Sequence, residues 1–202
     1  MPALRLSDKP KPLSLPQIES RIPKPDELVV LSKPLLDATI TIGKTLLDCT
    51  NKWAFGGDVA EVISGVNVQA NHIAILTTSE GGDELARKLA RYLIEPPRMV
   101  ERELERDAKV DLKPHKIRIR SYASRFNVER SRLDVHGNLQ IKVGDWDWGD
   151  PLDFEPDYVY VAGVKVPIVP LKMKNELYTG LGWTDRARKI HEAVMRSRHM
   201  FG

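Results

Sequence analysis

Basic side chains are concentrated between Lys113 and Arg132 of this 202-residue sequence, where seven Lys or Arg residues stand against one acid. Residues 116–122 alternate basic and apolar types, which predicts a half-exposed strand with its basic side chains on one face. Grouped cations can bind phosphate, although a solvated charged face is the more frequent role of such a stretch. The candidate nucleic-acid-binding residues are therefore Lys116, Arg118, Arg120, Arg125, Arg130 and Arg132.

Acidic side chains are concentrated in a second segment, Asp145 to Asp157, which has six carboxylates and no base. Trp146 and Trp148 lie within it. Their rings could stack on bases, but the surrounding carboxylates repel a phosphate backbone. We therefore expect this loop to contact a protein partner or to dock onto the protein's own basic strand.

Thr77, Thr78 and Ser79 precede a glycine pair and a helical segment, so they either cap that helix or offer hydroxyls and amides to an anion. No metal site is expected, because His72 and the other histidines show no metal-ligand spacing. Cys49 is the single cysteine and lies in an apolar helical stretch, which predicts a buried, inert thiol.

The elements that position these residues alternate between helix and strand at first, and strands dominate later. This order predicts an α/β (α+β) architecture, with a mixed twisted sheet flanked by helices. The expected helices span residues 33–48, 59–64, 99–107, 171–178 and 185–200, and Ser32 is the expected N-cap of the first. A further helix is expected to hold Leu85 to Leu93 and to end at Pro96 and Pro97. The expected strands span residues 53–55, 72–76, 116–122, 133–135, 139–143, 158–161 and 164–169.

Three regions follow from the composition. Residues 1–27 hold six of the fourteen prolines and predict an extended arm, which is either a disordered tail or a segment that contacts a partner. Residues 28–170 form the main domain, and residues 171–202 form a C-terminal helical segment packed on it. Because no apolar run approaches the roughly 20 residues that span a bilayer, and no signal sequence follows Met1, we expect a cytoplasmic protein.

A strand, a glycine turn, a helix and a second strand follow one another in residues 53–93, WAFGGDVAEVISGVNVQANHIAILTTSEGGDELARKLARYL. This segment resembles the opening of the nucleotidyltransferase superfamily, whose core is the polymerase-beta-like fold. In that family the glycine turn lets backbone amides approach the triphosphate of a nucleotide, and the resemblance assigns this role to Gly56 and Gly57. The next strand of the family carries two aspartates separated by one residue, which hold two divalent metals together with a third carboxylate from a neighbouring strand.

The chain departs from this family at the metal ligands. The positions of the aspartate pair fall on His72 and Ala74, and neither side chain suits magnesium. The third carboxylate has a candidate in Asp134, for which an ion pair with a local arginine such as Arg132 is the more frequent role. Asp58 follows the glycines and would repel a phosphate, unless it turns away or caps the next helix.

The C-terminal part also resembles the family. In residues 161–190, VAGVKVPIVPLKMKNELYTGLGWTDRARKI, a strand and Pro170 lead into a helix and a Tyr-x-x-Leu-Gly turn, as in small archaeal-type nucleotidyltransferase proteins. Together with the opening segment, the resemblance covers roughly residues 33–195.

These features give three hypotheses for function. In the first, the protein is a catalytically degenerate nucleotidyltransferase-fold binding module for RNA or a ribonucleoprotein, and it needs no cofactor. In the second, it is an active magnesium-dependent nucleotidyltransferase that uses Asp134 with Asp58 or Glu61. In the third, it is a protein-binding subunit that uses the proline-rich arm and the Trp146/Trp148 loop.

Overall fold

The computed structural model describes residues 30–110 and 113–200, so the predicted arm lies outside the described residues. The helices are α1 (Lys33–Thr45), α2 (Gly57–Ile63), α3 (Ser79–Lys88), α4 (Leu171–Gly180) and α5 (Thr184–Met200). The strands are β1 (Trp53–Gly56), β2 (Ile73–Thr77), β3 (Leu93–Val110), β4 (Lys113–Val128), β5 (Ser131–Val143), β6 (Asp157–Val161) and β7 (Val164–Ile168). Among the described residues, no helix is long and apolar enough to span a membrane.

The seven strands form one sheet in the order β3-β4-β5-β2-β1-β7-β6. Two neighbouring pairs, β2 with β5 and β1 with β7, are parallel, and the other pairs are antiparallel. The predicted mixed sheet flanked by helices is thus confirmed.

Helices α1, α2, α3 and α5 pack on one face of this sheet and form the main core with it. The core holds Ile42, Val59, Leu85 and Ile190 from the helices and inward-facing residues such as Ile75 from the strands. Because successive side chains of a strand alternate between the faces, Ala74 and Leu76 point to the other face, which we call the open face.

The predicted helix over residues 99–107 was wrong, since these residues lie in β3. Glu101 pairs with Arg120 and Glu103 with Arg118 in the antiparallel ladder between β3 and β4. Cross-strand pairing of opposite charges stabilises the sheet and overrides the helix propensity of Glu and Arg.

The helix expected to hold Leu85 to Leu93 ends at Lys88, and Leu93 begins β3 after a short 3₁₀ turn. Pro96 and Pro97 interrupt a strand and not a helix. They are tolerated because β3 is an edge strand whose register shifts between Glu95 and Arg98.

Two smaller expectations also changed. Residues 133–135 and 139–143 belong to one strand, β5, in which Asn138 has a positive φ of 49°. Ser32 is at the N-cap position of α1, but its side chain makes no capping hydrogen bond there.

The turn between α4 and α5 contacts the far end of the β3–β4 hairpin. Lys109 N–H donates to the carbonyl of Leu181 at 2.9 Å, and Ala108, Ile117 and Leu181 form a small apolar cluster. Since Lys174 on the same α4 contacts Gly57, this helix links the glycine turn to the hairpin.

Candidate functional site

The glycine turn connects β1 directly to α2. Gly57 has a positive φ of 54°, a conformation that strains residues with a Cβ atom, and a Cβ at this position would lie 3.3 Å from the Cβ of Ala74. The ammonium group of Lys174 donates to the Gly57 carbonyl at 2.5 Å. The hydrogen bond from α4 therefore holds the turn in place, and the turn packs directly against β2.

The glycine turn and the candidate metal positions are neighbours across three strands. Gly56 on β1 pairs with Ala74 on β2, and Ala74 pairs with Asp134 on β5. Paired residues share a face of the sheet, so Ala74 and Asp134 lie together on the open face. His72 precedes β2 by one residue and is half-buried.

Asp134 is buried and bound by two guanidinium groups. Arg125 Nε lies 3.0 Å from Oδ1, and a terminal nitrogen of Arg132 lies 2.7 Å from Oδ2. Burial opposes ionisation of this carboxyl, but the hydrogen bonds from Arg132 and Arg125 outweigh it and hold its pKa below the ordinary value. The carboxylate is thus ionised and already neutralised by its arginines.

The residues at this position do not fit a two-metal site. Magnesium requires several oxygen ligands in octahedral geometry, whereas Ala74 offers none and His72 offers an imidazole. Among the described residues, no group of three or more His, Cys, Asp or Glu side chains is placed to hold a metal ion. His72, Ala74 and Asp134, the described residues at these positions, therefore do not supply the carboxylates of a two-metal site.

Beside Asp134, the face of the sheet formed by β3, β4 and β5 holds a cavity of about 320 Å³, which we call the arginine cleft. Arg98, Arg102 and Arg125 line it, and Arg132 reaches Asp134 from the same face. Glu95 and Asp134 are the two carboxylates of the cleft, so four arginines stand against two acids. The remaining lining residues are Val100, Ile119, Ser121, Ala123, Ser124 and His136.

The buried side chains of Ser121 and His136 are joined by a hydrogen bond in this cleft. Ser121 Oγ lies 3.0 Å from Nδ1 of His136, and the two residues are 2% and 8% exposed. Burial, with a smaller contribution from the charge of Arg102, lowers the pKa of His136 to about 4. The imidazole is therefore neutral at physiological pH and both offers and accepts a hydrogen bond.

A second group of charges, which we call the α2 ion cluster, consists of Asp58, Glu61, Lys174 and Arg186. Glu61 is fully buried, and its carboxylate lies 2.6 Å from both Lys174 Nζ and Arg186 Nε. Tyr178 donates its hydroxyl to the same carboxylate at 2.9 Å. Two acids and two bases compensate each other here, and they tie α4 and α5 to the helix that follows the glycine turn.

Of the two roles open to Asp58, capping of α2 was wrong. Gly56 is at the N-cap position, and Asp58 accepts a hydrogen bond from Arg186 instead. This ion pair removes the repulsion that a free carboxylate beside the glycines would exert on an anion. Asp58 and Glu61, the acids of the catalytic hypothesis, both belong to the α2 ion cluster.

The basic strand predicted from the sequence lies on β4, but its charges are partly compensated. Lys116 lies 3.1 Å from Glu103, and Arg118 lies 3.3 Å from Glu101. Arg120 donates to Gln140 at 2.7 Å. These three side chains alternate with Ile119 and Ser121 of the cleft, so they point to the opposite face of the sheet. Arg130 lies in the turn between β4 and β5 with a positive φ of 64°.

The acidic loop docks partly onto the protein itself. The guanidinium of Arg120 lies 4.6 Å from the ring centre of Trp148, a favourable cation–π distance. Gly149 and Leu152 donate their backbone N–H groups to the carbonyls of Ile141 and Leu139. The expected contact with the basic strand thus holds for Trp148, while Trp146 is 58% exposed.

The hydroxyl cluster and the cysteine have structural roles. Thr78 Oγ1 accepts from Gly81 N–H at 3.0 Å and caps α3, while Thr77 donates to the Lys52 carbonyl. Cys49 is half-buried, and desolvation raises its pKa to about 11, so its thiol is protonated at neutral pH.

Sequence reasoning missed the two residues that complete the cleft, Arg98 and Arg102. They were assigned to a helix or to its boundary, and no local pattern marks them. Lys174 and Arg186 were missed as well, because the partners of the α2 ion cluster are more than 100 residues apart in the chain.

No protein-family model and no curated protein sequence matches the chain. Among solved structures, a candidate nucleotidyltransferase of Thermotoga maritima, TM1012, is similar over 82% of this chain and 96% of its own, with 21% identity and a TM-score of 0.62. The lincosamide antibiotic adenylyltransferase LnuA, in its lincomycin-bound form, covers 80% of this chain and 97% of its own at 12% identity and a TM-score of 0.43. The antibiotic-resistance factor ANT(2″)-Ia covers 84% and 95% at 13% identity and a TM-score of 0.41. The similarity to TM1012 shows that this chain has the nucleotidyltransferase fold.

Proposed function

We propose that this protein is a catalytically inactive nucleotidyltransferase-fold module that binds a phosphate-bearing ligand, with RNA, free or in a ribonucleoprotein, as that ligand. The observation that carries the proposal is the state of Asp134. Its carboxylate forms ion pairs with Arg125 and Arg132, at a position where a metal site needs carboxylates that are free to bind the metal.

The arginine cleft is the surface that we assign to the ligand. Its three lining arginines, together with Arg132 bound to Asp134, outnumber its two carboxylates. The charges of the basic strand are partly compensated by Glu101 and Glu103. Arginine binds phosphate oxygens with two parallel hydrogen bonds, which suits this role. The guanidinium groups would then supply the positive charge that metal ions supply in an active enzyme of this fold.

Binding of a labelled single-stranded RNA, measured by fluorescence anisotropy with a chelator present, tests the proposal. We expect binding without any metal and a steep loss of affinity with salt, at a slope of about −0.7 per phosphate contacted. No binding at low salt, or affinity that does not change with salt, would contradict the phosphate-dominated mechanism.

Two matched double variants locate the surface. Replacing Arg98 and Arg102 by Gln removes two cations from the cleft, and replacing Lys116 and Arg118 by Gln removes two from the opposite face of the same hairpin. We expect the first pair to weaken binding about tenfold or more and the second to change it less than about threefold. A larger loss of affinity in the Lys116/Arg118 double variant than in the Arg98/Arg102 double variant would assign the ligand to the basic strand.

A transfer assay tests the enzymatic alternative. The protein would be incubated with labelled nucleoside triphosphates, RNA acceptors and magnesium or manganese. We expect no incorporation into RNA or into the protein itself. Incorporation that is lost on Asp134→Asn would establish an active enzyme and overturn the proposal.

A protein-binding subunit is the second candidate, and large exposed aromatic side chains favour it. Trp146 is 58%, Tyr158 57% and Tyr160 75% exposed. A pull-down that retains a partner after nuclease treatment, and loses it on Trp146→Ala or Tyr160→Ala, would support this function. Loss of all partners with nuclease would favour RNA.

A further inference from the structure

The arginine cleft is small and polar at its base. Its volume of about 320 Å³ is at the lower end of the roughly 300–1,000 Å³ that small-molecule pockets occupy. It therefore has room for about one nucleotide and not for a length of duplex. Ser121, Asp134 and His136 at this site are each less than a tenth exposed.

The four arginines of the cleft are not equally engaged. Arg125 and Arg132 are held by Asp134, and Arg98 makes one long contact of 3.4 Å with Glu95. Arg102 lines the cavity and has no carboxylate partner among the described side chains of residues 30–106, 108–110 and 113–196. Its guanidinium is therefore available to an anion that enters the cleft.

The Ser121–His136 pair adds neutral hydrogen-bonding groups beside Arg102. If the Ser121 hydroxyl donates to Nδ1, the proton of the neutral ring is on Nε2, which can then donate to a ligand. If Nδ1–H donates instead, the Ser121 hydroxyl keeps its proton for the ligand. In either tautomer one donor of the pair remains next to the unpaired guanidinium.

We propose that the arginine cleft binds the terminal phosphate monoester of a nucleotide, either of a free nucleoside monophosphate or of the 5′ end of an RNA. This inference rests on the proposed function and narrows it from the phosphate backbone to a chain end. A phosphate monoester carries a charge of about −1.5 to −2 at neutral pH, whereas each backbone phosphodiester carries only one. The excess of two arginines over carboxylates matches the monoester, and a cavity of one-nucleotide size admits an end more readily than the middle of a chain.

The test compares two RNA oligonucleotides of the same sequence, one with a 5′ phosphate and one with a 5′ hydroxyl, in the presence of a chelator. A nucleoside monophosphate and the matching nucleoside form the second pair of ligands. We expect the phosphorylated member of each pair to bind about tenfold more tightly, the range expected for added charge-assisted hydrogen bonds. Arg102→Gln should abolish this preference, and Arg118→Gln on the opposite face should leave it intact.

The outcomes separate this inference from the proposed function. Equal binding of the two RNAs would overturn the preference for a terminal phosphate while leaving RNA binding standing. Binding of the monophosphate without binding of either RNA would support the cleft assignment and refute RNA as the ligand. A preference that survives Arg102→Gln in a protein with an unchanged circular dichroism spectrum would overturn the assignment to the cleft.

Discussion

The α2 ion cluster and the arginine cleft are both built from basic side chains and carboxylates, yet they differ in charge balance. In the cluster, Asp58 and Glu61 face Lys174 and Arg186, so each negative charge has a positive partner. In the cleft, four arginines face two carboxylates. The cluster is closed by helices α4 and α5, whereas the cleft is a cavity open to a ligand.

This difference indicates different roles for the two sets of charges. Buried charges are tolerated when they are paired and hydrogen-bonded, and a balanced cluster of this kind fixes the relative placement of helices. An excess of one sign costs free energy in the isolated protein and is offset when a ligand of opposite charge binds. We therefore expect substitutions in the cluster to act on stability and those in the cleft to act mainly on binding.

The largest effect is expected from Glu61→Gln. The substitution leaves two cations, Lys174 and Arg186, with only Asp58 in a buried site, which should lower the free energy of unfolding by about 3–5 kcal/mol. Urea denaturation followed by circular dichroism measures it.

Glu192→Gln is the matched control, because Glu192 pairs with Arg188 on the exposed side of α5. We expect this control to change stability by less than about 0.5 kcal/mol. If Glu61→Gln costs no more than the control, the α2 ion cluster does not stabilise the fold and the contrast with the cleft fails.

Asp134→Asn tests the cleft with effects of opposite sign on stability and on binding. Losing a buried carboxylate that two arginines bind should lower the free energy of unfolding by about 1–3 kcal/mol. Removing one negative charge from the cleft should nevertheless strengthen binding of a phosphate ligand, by a few-fold to about tenfold.

Chemical denaturation gives the free energy of unfolding of the Asp134→Asn variant, and ligand titration of the same preparation gives its affinity. Weaker binding by the Asp134→Asn variant, in contrast, would mean that the carboxylate contacts the ligand or a metal. Such a result would return the site to the catalytic interpretation.

The pH dependence of stability tests the neutral state of His136. Its folded-state pKa of about 4 lies below the ordinary value of 6.5, so the unfolded chain takes up a proton first as the pH falls. The stabilisation from this residue is present above about pH 6.5 and is lost as the pH falls towards 4. Between pH about 7 and about 5 we expect a loss of about 1–2 kcal/mol that His136→Gln largely removes.

His191 on the exposed side of α5 provides the comparison for this experiment. His191→Gln is measured in the same series, so that the loss of an exposed imidazole is compared with the loss of a buried one. An unchanged profile in His136→Gln would show that the imidazole is not held neutral, and the chemistry assigned to the base of the cleft would need revision.

The parts of this fold that the sequence predicted are those with local signals. The strand, glycine turn and helix around Gly56 and Gly57 follow from residue types with strong conformational preferences. The resemblance to the nucleotidyltransferase superfamily also pointed to His72, Ala74 and Asp134 as the positions to compare with a metal site. The register then brings Ala74 and Asp134 side by side.

The parts that could not be predicted depend on contacts between distant residues. Residues 99–107 have the composition of a charged helix, and only the antiparallel pairing with β4 makes them a strand. Because that strand carries Arg98 and Arg102, the wrong helix prediction also prevented prediction of the arginine cleft. Basic residues on β4 were visible in the sequence, but their neutralisation by Glu101 and Glu103 was not.

The smallest effect is expected at the basic strand, and it completes the contrast between the two faces of the hairpin. Lys116→Gln together with Arg118→Gln removes two exposed ion pairs, and such pairs contribute about 0–1 kcal/mol each. We expect less than about 1 kcal/mol of destabilisation in total and nearly unchanged affinity for a phosphorylated ligand, measured by denaturation and by anisotropy. A large loss of affinity with intact stability would show that position on the hairpin, and not the balance of charge, selects the binding face. Both faces carry basic side chains, and the cleft has the larger excess of them over carboxylates.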